Sequence, residues 1–153
     1  MTDFPNFPDF SEETVQFHTE AIDFQLPDSE SVVAWIQETI SAEQKELVSL
    51  NFIFCSDTYL HKMNVEYLDH DTLTDVITFP YSDDDTIEGD IYISIDRIKE
   101  NAQIFNVPFL QELKRVIIHG VLHLCGYGDK SKIEQKKMRE KENFYLEKIK
   151  KKG

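Results

Sequence analysis

Long apolar runs are missing from this chain: none approaches the roughly 20 residues that a membrane-spanning helix needs. Its first residues, MTDFPNFPDFSEE, have neither a basic start nor an apolar stretch. No secretory signal is legible there, and a cytoplasmic protein is expected. Cysteine is scarce, with only Cys55 and Cys125, both inside apolar segments. Two distant thiols exclude a disulfide scaffold and are expected as small buried hydrophobes. Glycine and proline number five each, too few for a fibrous or low-complexity chain. What remains is 153 residues, 41% of them hydrophobic, enough for one domain with a real core. That domain is expected to span 1–153, with 1–20 as a loosely ordered lead-in.

Basic residues are scarce too, but unevenly so. The net charge is -13; residues 1–113 carry 4 Lys/Arg against 24 Asp/Glu (-20), and residues 114–153 carry 12 against 5 (+7). Phosphate backbones are held by local Lys/Arg rather than by net charge, so the basic end is compatible with a nucleic-acid partner. A solvated, salt-bridged helix explains the same charges.

Periodicity and punctuation place the elements. AIDFQLP (21–27) alternates loosely and reads as a strand, after which Asp28 and Ser29 cap a helix to about Ile40. Its apolar face is Val32, Val33, Trp35, Ile36 and Ile40. LVSLNFIFC (47–55) reads as a buried strand, and Ser56 and Asp57 open a second helix with Leu60, Met63 and Tyr67 on one side. The polar stretch 68–74 is a loop. DVITFPY (75–81) and GDIYISI (89–95), separated by SDDDTIE, read as an antiparallel pair. Asp96 is expected to cap a helix to Phe105, and Pro108 to open another over 109–125. That helix is apolar nearly all round, from Leu110 to Leu124, and should be central and buried. Gly126 ends it. A charged helix from Lys132 to Lys150 turns Ile133, Met138, Tyr145, Leu146 and Ile149 inward. The order β-α-β-α-β-β-α-α-α gives an α/β (α+β) domain, a mixed four-stranded sheet packed with about five helices.

Chemistry concentrates in IIHGVLHLCGYGDKS (117–131). His119 and His123 are four apart on the central helix, so both imidazoles project from one face and reach one metal ion. Gly126 stops the helix, Tyr127 and Gly128 turn the chain, and Asp129 returns as a third ligand. Two His and one carboxylate leave a coordination position for water, the catalytic rather than the structural pattern of zinc sites. Gly120 stands where H-E-x-x-H peptidases carry their glutamate, so that base is missing, and the glycine is expected to leave room for a bulky substrate. Asp75 is a candidate base or partner behind a ligand, or a capping residue. Arg115, one turn before His119, is a candidate phosphate contact or a surface partner of Glu112. Asn64 and Tyr67 are expected to hold the loop 68–74, and His70 within it reads as a solvated side chain. The candidate catalytic set is His119, His123, Asp75 and Arg115; the metal set is His119, His123 and Asp129, with one zinc per chain. From these residues alone, a metal hydrolase with a small-molecule substrate stays open beside a nuclease.

H-G-V-L-H-L-C-G-Y (119–127) resembles the signature of the YbeY family, bacterial endoribonucleases involved in ribosomal RNA maturation. Residues 64–80, N-V-E-Y-L-D-H-D-T-L-T-D-V-I-T-F-P, are similar to that family's Asn…Tyr…Thr-Asp-Val-x-Ser-Phe-Pro block. Gly89-Asp90-Ile91 is similar to its following strand and Met138…Glu142 to its last helix, so the resemblance runs from about 20 to 146. It implies a zinc-dependent endoribonuclease specific for single strands, acting in 16S 3′-end maturation and ribosome quality control. The implied partners are precursor rRNA and the ribosome or a ribosomal protein, with no DNA and no membrane. An assembly factor that binds rRNA or a ribosomal protein and cuts little is the alternative. The chain departs from the family at two places. The usual Gly-Tyr-Asp-His, whose histidine is the third ligand, is here followed through Gly128 to Asp129, which implies a carboxylate ligand. The usual Arg after the Tyr of the first block is Leu68.

Overall fold

The computed structural model describes residues 14–68, 74–82 and 85–152. Its strands are β1 (Val15–Glu20), β2 (Glu46–Cys55), β3 (Val76–Pro80) and β4 (Thr86–Ser94). Its helices are α1 (Ser29–Ala42), α2 (Asp57–Leu68), α3 (Ile95–Phe105), α4 (Phe109–Leu124) and α5 (Lys132–Lys152). The expected element order, the mixed sheet and the five helices are all present. The sheet runs β1-β2-β4-β3, with β1, β2 and β4 parallel and β3 antiparallel to β4. Among the described residues, no helix is long and apolar enough to cross a membrane.

Side-chain alternation decides which face of the sheet meets which helix. On one face Leu50, Phe52 and Phe54 of β2 and Ile87, Ile91 and Ile93 of β4 pack against Trp35, Ile36 and Ile40 of α1 and Leu113, Ile117 and Val121 of α4. On the other, Ile77 faces Tyr92 across the β3–β4 register, and α2 covers them with Leu60. Each fully buried apolar side chain stabilises by about 1.5–3 kcal/mol. The eight buried positions of α4, Glu112 and Gly120 among them, fix this helix against the sheet more firmly than its propensity does. Cys55 and Cys125 are buried free thiols, as expected, and burial pushes both up to about 12.

Several local expectations are corrected. The first strand is Val15–Glu20, not 21–27, so 15–20 is no loose lead-in; Phe17 stacks on Phe52 and Phe54. Ala21 takes φ 62°, a left-handed turn that breaks the extended run, and Phe24 packs edge-on to Phe54 and Phe109 from the connection. Asp28 sits at φ 55° and caps α1 without its side chain. Ser94, not Asp96, caps α3: its Oγ accepts from Arg97 N at 3.0 Å, while Asp96 accepts from Asp57 N at 2.9 Å and ties α3 to α2. Ser56 caps α2 as expected, accepting from Tyr59 N. Tyr67 and Ile133 are 64% and 82% exposed, and buried Asn64 takes the inward place expected of Tyr67. Leu110 also reaches solvent at 37%, so α4 is apolar round most but not all of its surface. Residues 1–13 and His70 lie outside the described residues.

Candidate metal centre

Four consecutive local devices build this site. α4 carries His119 and His123 on one face, with ring centroids 4.6 Å apart. Gly126 ends the helix at φ 112°, a conformation that side chains rarely adopt. Ser131 and Glu134 then form a reciprocal capping box at the start of α5. Ser131 Oγ accepts from Glu134 N, and Glu134 Oε1 accepts from the Ser131 and Lys130 amides. Gln135 Nε2 donates to the Asp129 carbonyl at 3.0 Å. The tether between the helices is thereby anchored at both ends, with the Asp129 carboxylate facing the two imidazoles.

The distances match a tetrahedral metal site. Asp129 Oδ2 lies 3.2 Å from His123 Nε2 and 3.4 Å from His119 Nε2. Metal bonds of 2.0–2.1 Å place adjacent tetrahedral ligands ~3.3 Å apart. Among the described residues, these three form the group of His, Cys, Asp and Glu side chains positioned to hold an ion. The donor set points the same way. His123 Nδ1 lies 2.8 Å from the Tyr127 carbonyl, which only accepts, so Nδ1 carries the proton. His119 Nδ1 lies 2.6 Å from Glu142 Oε2. With Nδ1 so engaged, each ring turns its Nε2 towards the same carboxylate oxygen, an arrangement that a cation between them satisfies.

Behind the ligands stands a charged relay. Glu142, only 4% exposed, accepts from His119 with one oxygen and from Arg115 Nη1 at 2.9 Å with the other. Burial pushes the Glu142 carboxyl up, but the His119 and Arg115 hydrogen bonds outweigh it and hold the group below its ordinary range. Burial likewise disfavours protonated His119. The Glu142 hydrogen bond and the charges of Glu142, Asp129 and Asp75 reverse that and raise its pKa.

The expected residues fall into different places. Arg115 gives its fork to Glu142 and to Asn143 Oδ1, both at 2.9 Å, and its charge also acts on Glu112, to which it makes no direct hydrogen bond or ion pair. Asp75 faces the cleft beside the ligands without joining them. Burial raises its pKa, and the charge of His119 partly offsets this. Gly120 leaves no room for substrate: a Cβ there would meet Ile91 Cγ2 at 3.0 Å and Thr78 Cγ2 at 3.6 Å, so the glycine lets α4 press on the sheet. Glu142, which the sequence matches only to a family helix, has a role beside His119 that the sequence alone does not assign. Its signal is an acid within the inward stripe Met138, Tyr145, Leu146 and Ile149, where only a partnered charge is tolerated.

The candidate ligands lie where two lobes of one cleft meet. A lobe of about 380 Å³ is lined by Asn64, Leu68 and residues 74–78 at the start of β3. The other, of about 450 Å³, is walled by α3, α4 and α5. His119, Asp129, Asp75 and Val76 line both.

Comparison with known proteins gives these features a lineage. Residues 14–150 match the family model described as "Endoribonuclease YbeY". A protein of that name from Amoebophilus asiaticus is 53% identical over 133 residues, 86% of this chain and 90% of the relative. Another from Flavobacterium psychrophilum is 54% identical over 125 residues, 82% and 89% of the two chains. The solution structure of TM1509 from Thermotoga maritima superposes with a TM-score of 0.63 at 31% identity, covering 88% of each chain.

Proposed function

This chain belongs to the endoribonuclease YbeY family, and from that premise we propose that it is a zinc-dependent endoribonuclease acting on single-stranded ribosomal RNA precursors. In this reading residues 1–153 form one cytoplasmic domain, and the reaction serves 16S 3′-end maturation and ribosome quality control. His119, His123 and Asp129 hold one zinc per chain. When bound, the ion supplies Lewis acidity that polarises a phosphoryl oxygen and acidifies water.

The chain's own groups do the rest. Glu142 and the Tyr127 carbonyl hold both imidazoles in the tautomer that points Nε2 at the ion. Arg115 acts through Glu142 and keeps that carboxylate charged, a positioning role rather than the phosphate contact. Asp75, kept close to the ligands in a desolvated wall, is the group suited to take a proton in the cleft. The exposed Lys132, Lys136 and Lys137 of α5 supply local positive charge for an RNA backbone.

The single observation that carries this reading is the convergence of two oriented Nε2 atoms and one carboxylate oxygen at 3.2 and 3.4 Å in an open cleft. A second reading, an assembly factor that binds rRNA or a ribosomal protein and cuts little, is favoured by Leu68, an apolar side chain lining the smaller lobe. Metal analysis of purified protein, paired with cleavage of a single-stranded rRNA fragment, separates the two. Wild type with zinc and zinc-dependent cutting, both lost in His119→Ala and His123→Ala, supports the nuclease. Zinc without cutting selects the assembly factor, and no metal in the wild type overturns the site.

A further inference from the structure

The larger lobe is a groove between three helices, and each contributes residues at helical spacing. α4 gives Glu112, Arg115, Val116 and His119; α3 gives Asn101 and Phe105. Glu112 lies seven residues before His119, about 10 Å along the helix from the metal ligands. It is only 6% exposed and its carboxylate makes no direct hydrogen bond or ion pair among the described residues, although the charges of Arg115 and Arg139 act on it. Glu142 in the same groove is similarly buried but partnered by His119, Arg115 and, at 3.7 Å, Arg139. Arg115, one turn from Glu112, gives its fork to Glu142 and Asn143 instead. The Glu112 carboxylate oxygens are not among the buried side-chain atoms that lack a partner, so they open onto the groove and face whatever fills it. A nearly buried carboxylate on the wall of an open groove is an acceptor available to the donors of a ligand. Phe105, which also lines the groove, is 58% exposed and leaves an aromatic face open to it. Across the groove the Arg139 side chain is 60% exposed.

We propose that this groove is a base-reading subsite, in which the Glu112 carboxylate accepts the two adjacent N–H donors of a guanine while Phe105 stacks on the ring. The inference rests on the reading of the chain as an RNA-binding nuclease and adds a nucleotide preference to it. Proteins read unpaired RNA by stacking bases on aromatic side chains and hydrogen-bonding their Watson–Crick edges. A carboxylate offers acceptors only. Guanine meets it with N1–H and N2–H side by side. Adenine and cytosine each place a ring acceptor beside their amino group, and uracil flanks its one N–H with two carbonyls. Arg139 is placed to hold the neighbouring phosphate, and the opening of the groove onto His119 and Asp129 puts the bound guanosine next to the bond that is cut.

Equilibrium binding tests this without cleavage. Labelled uridine pentaribonucleotides carrying one central G, inosine, A, C or U are titrated into the zinc-loaded full chain, with fluorescence anisotropy as the readout. Wild type is expected to bind the G oligomer on the order of 10-fold more tightly than the A, C and U oligomers, with inosine, which lacks the N2 amine, in between. Glu112→Gln is expected to erase that preference at unchanged zinc content, and Phe105→Ala to weaken all five alike. Equal binding of all five by wild type overturns the subsite and leaves the nuclease reading standing. No binding to any of them overturns both. The guanosine–inosine comparison uses wild type alone, so a misfolded Glu112→Gln does not spare the proposal.

Discussion

Glu142→Gln isolates the relay behind the metal ligands from the ligands themselves. The carboxylate is 4% exposed and serves two donors, His119 Nδ1 at 2.6 Å and Arg115 Nη1 at 2.9 Å. An amide of the same shape has one acceptor oxygen and one NH2. Whichever way it sits, an N–H faces either the imidazole or the guanidinium, so one of the two bonds becomes a donor–donor contact. Losing such an outer partner typically costs 10–100-fold in metal affinity, which is about 1.4–2.7 kcal/mol of binding free energy. Zinc Kd measured by competition with a fluorescent chelator, alongside the Tm of metal-free protein, separates ligation from folding. Glu142→Ala should be worse on both counts, because it leaves Arg115 Nη1 and His119 Nδ1 both without their acceptor. A Glu142→Gln protein that holds zinc as tightly as wild type would show that His119 is oriented by something else.

Asp129→Ala should weaken zinc binding by at least 10-fold, about 1.4 kcal/mol, read in the same competition assay; wild-type affinity would mean that Asp129 is not a ligand. Charge reversal of Lys132, Lys136 and Lys137 should weaken RNA binding and flatten its salt dependence by a log–log slope of about 2, at roughly 0.7 per phosphate on a single strand. An unchanged slope would assign α5 to plain solvation. Gly120→Val should destabilise by about 1–3 kcal/mol through overpacking, since even a Cβ there stands 3.0 Å from Ile91 Cγ2; an unchanged Tm would mean that α4 and the sheet can part at no cost. Glu43 supplies the pH test. Burial raises its carboxyl pKa, but hydrogen bonds from Tyr127, Tyr145 and Lys141 win and hold it below 4.5. A depressed folded-state pKa stabilises above the unfolded value and is lost as pH falls through the folded one. The Tm gap between wild type and Glu43→Gln should therefore be full at neutral pH and close below pH 4.5; a gap independent of pH would sink the assignment.

What was legible in the sequence was what is local. His119, His123, Gly126 and Asp129 fall within eleven consecutive residues, and helix periodicity with one glycine stop is enough to converge them. The strands of the core announced themselves by length and apolar content, because burial on the α4 face demands it at every second residue. The failures are non-local or conformational. A loose alternation over 21–27 looked like a strand, but Phe24 is apolar in order to fill a gap beside Phe54 and Phe109, from a segment that Ala21 has already turned. Sequence proximity pairs Arg115 with Glu112, three residues away on its own helix, whereas its hydrogen-bond partners Glu142 and Asn143 come from α5. Gly120 could be read either as space or as contact, and only the position of Ile91 decides between them.

The placement of Glu142 has a consequence for how the site is maintained. The two histidines belong to α4, their orienting acid to α5, and the third ligand to the tether whose far end the α5 capping box fixes. α5 in turn is held by Trp35 Nε1 donating to the Tyr145 carbonyl and by Glu43 receiving Tyr145, Tyr127 and Lys141, all anchored on α1 or just past its end. Any motion that lifts α5 from α1 therefore removes the acceptor from His119 and strains the tether to Asp129 together. An ion held only by the assembled site would stabilise the docking of α5 by mass action, so metal affinity and α5 docking would rise and fall together. Tyr127 closes the loop: its carbonyl orients His123 while its hydroxyl donates to Glu43 at 2.6 Å, so the tether that shapes the metal site also fastens to the end of α1.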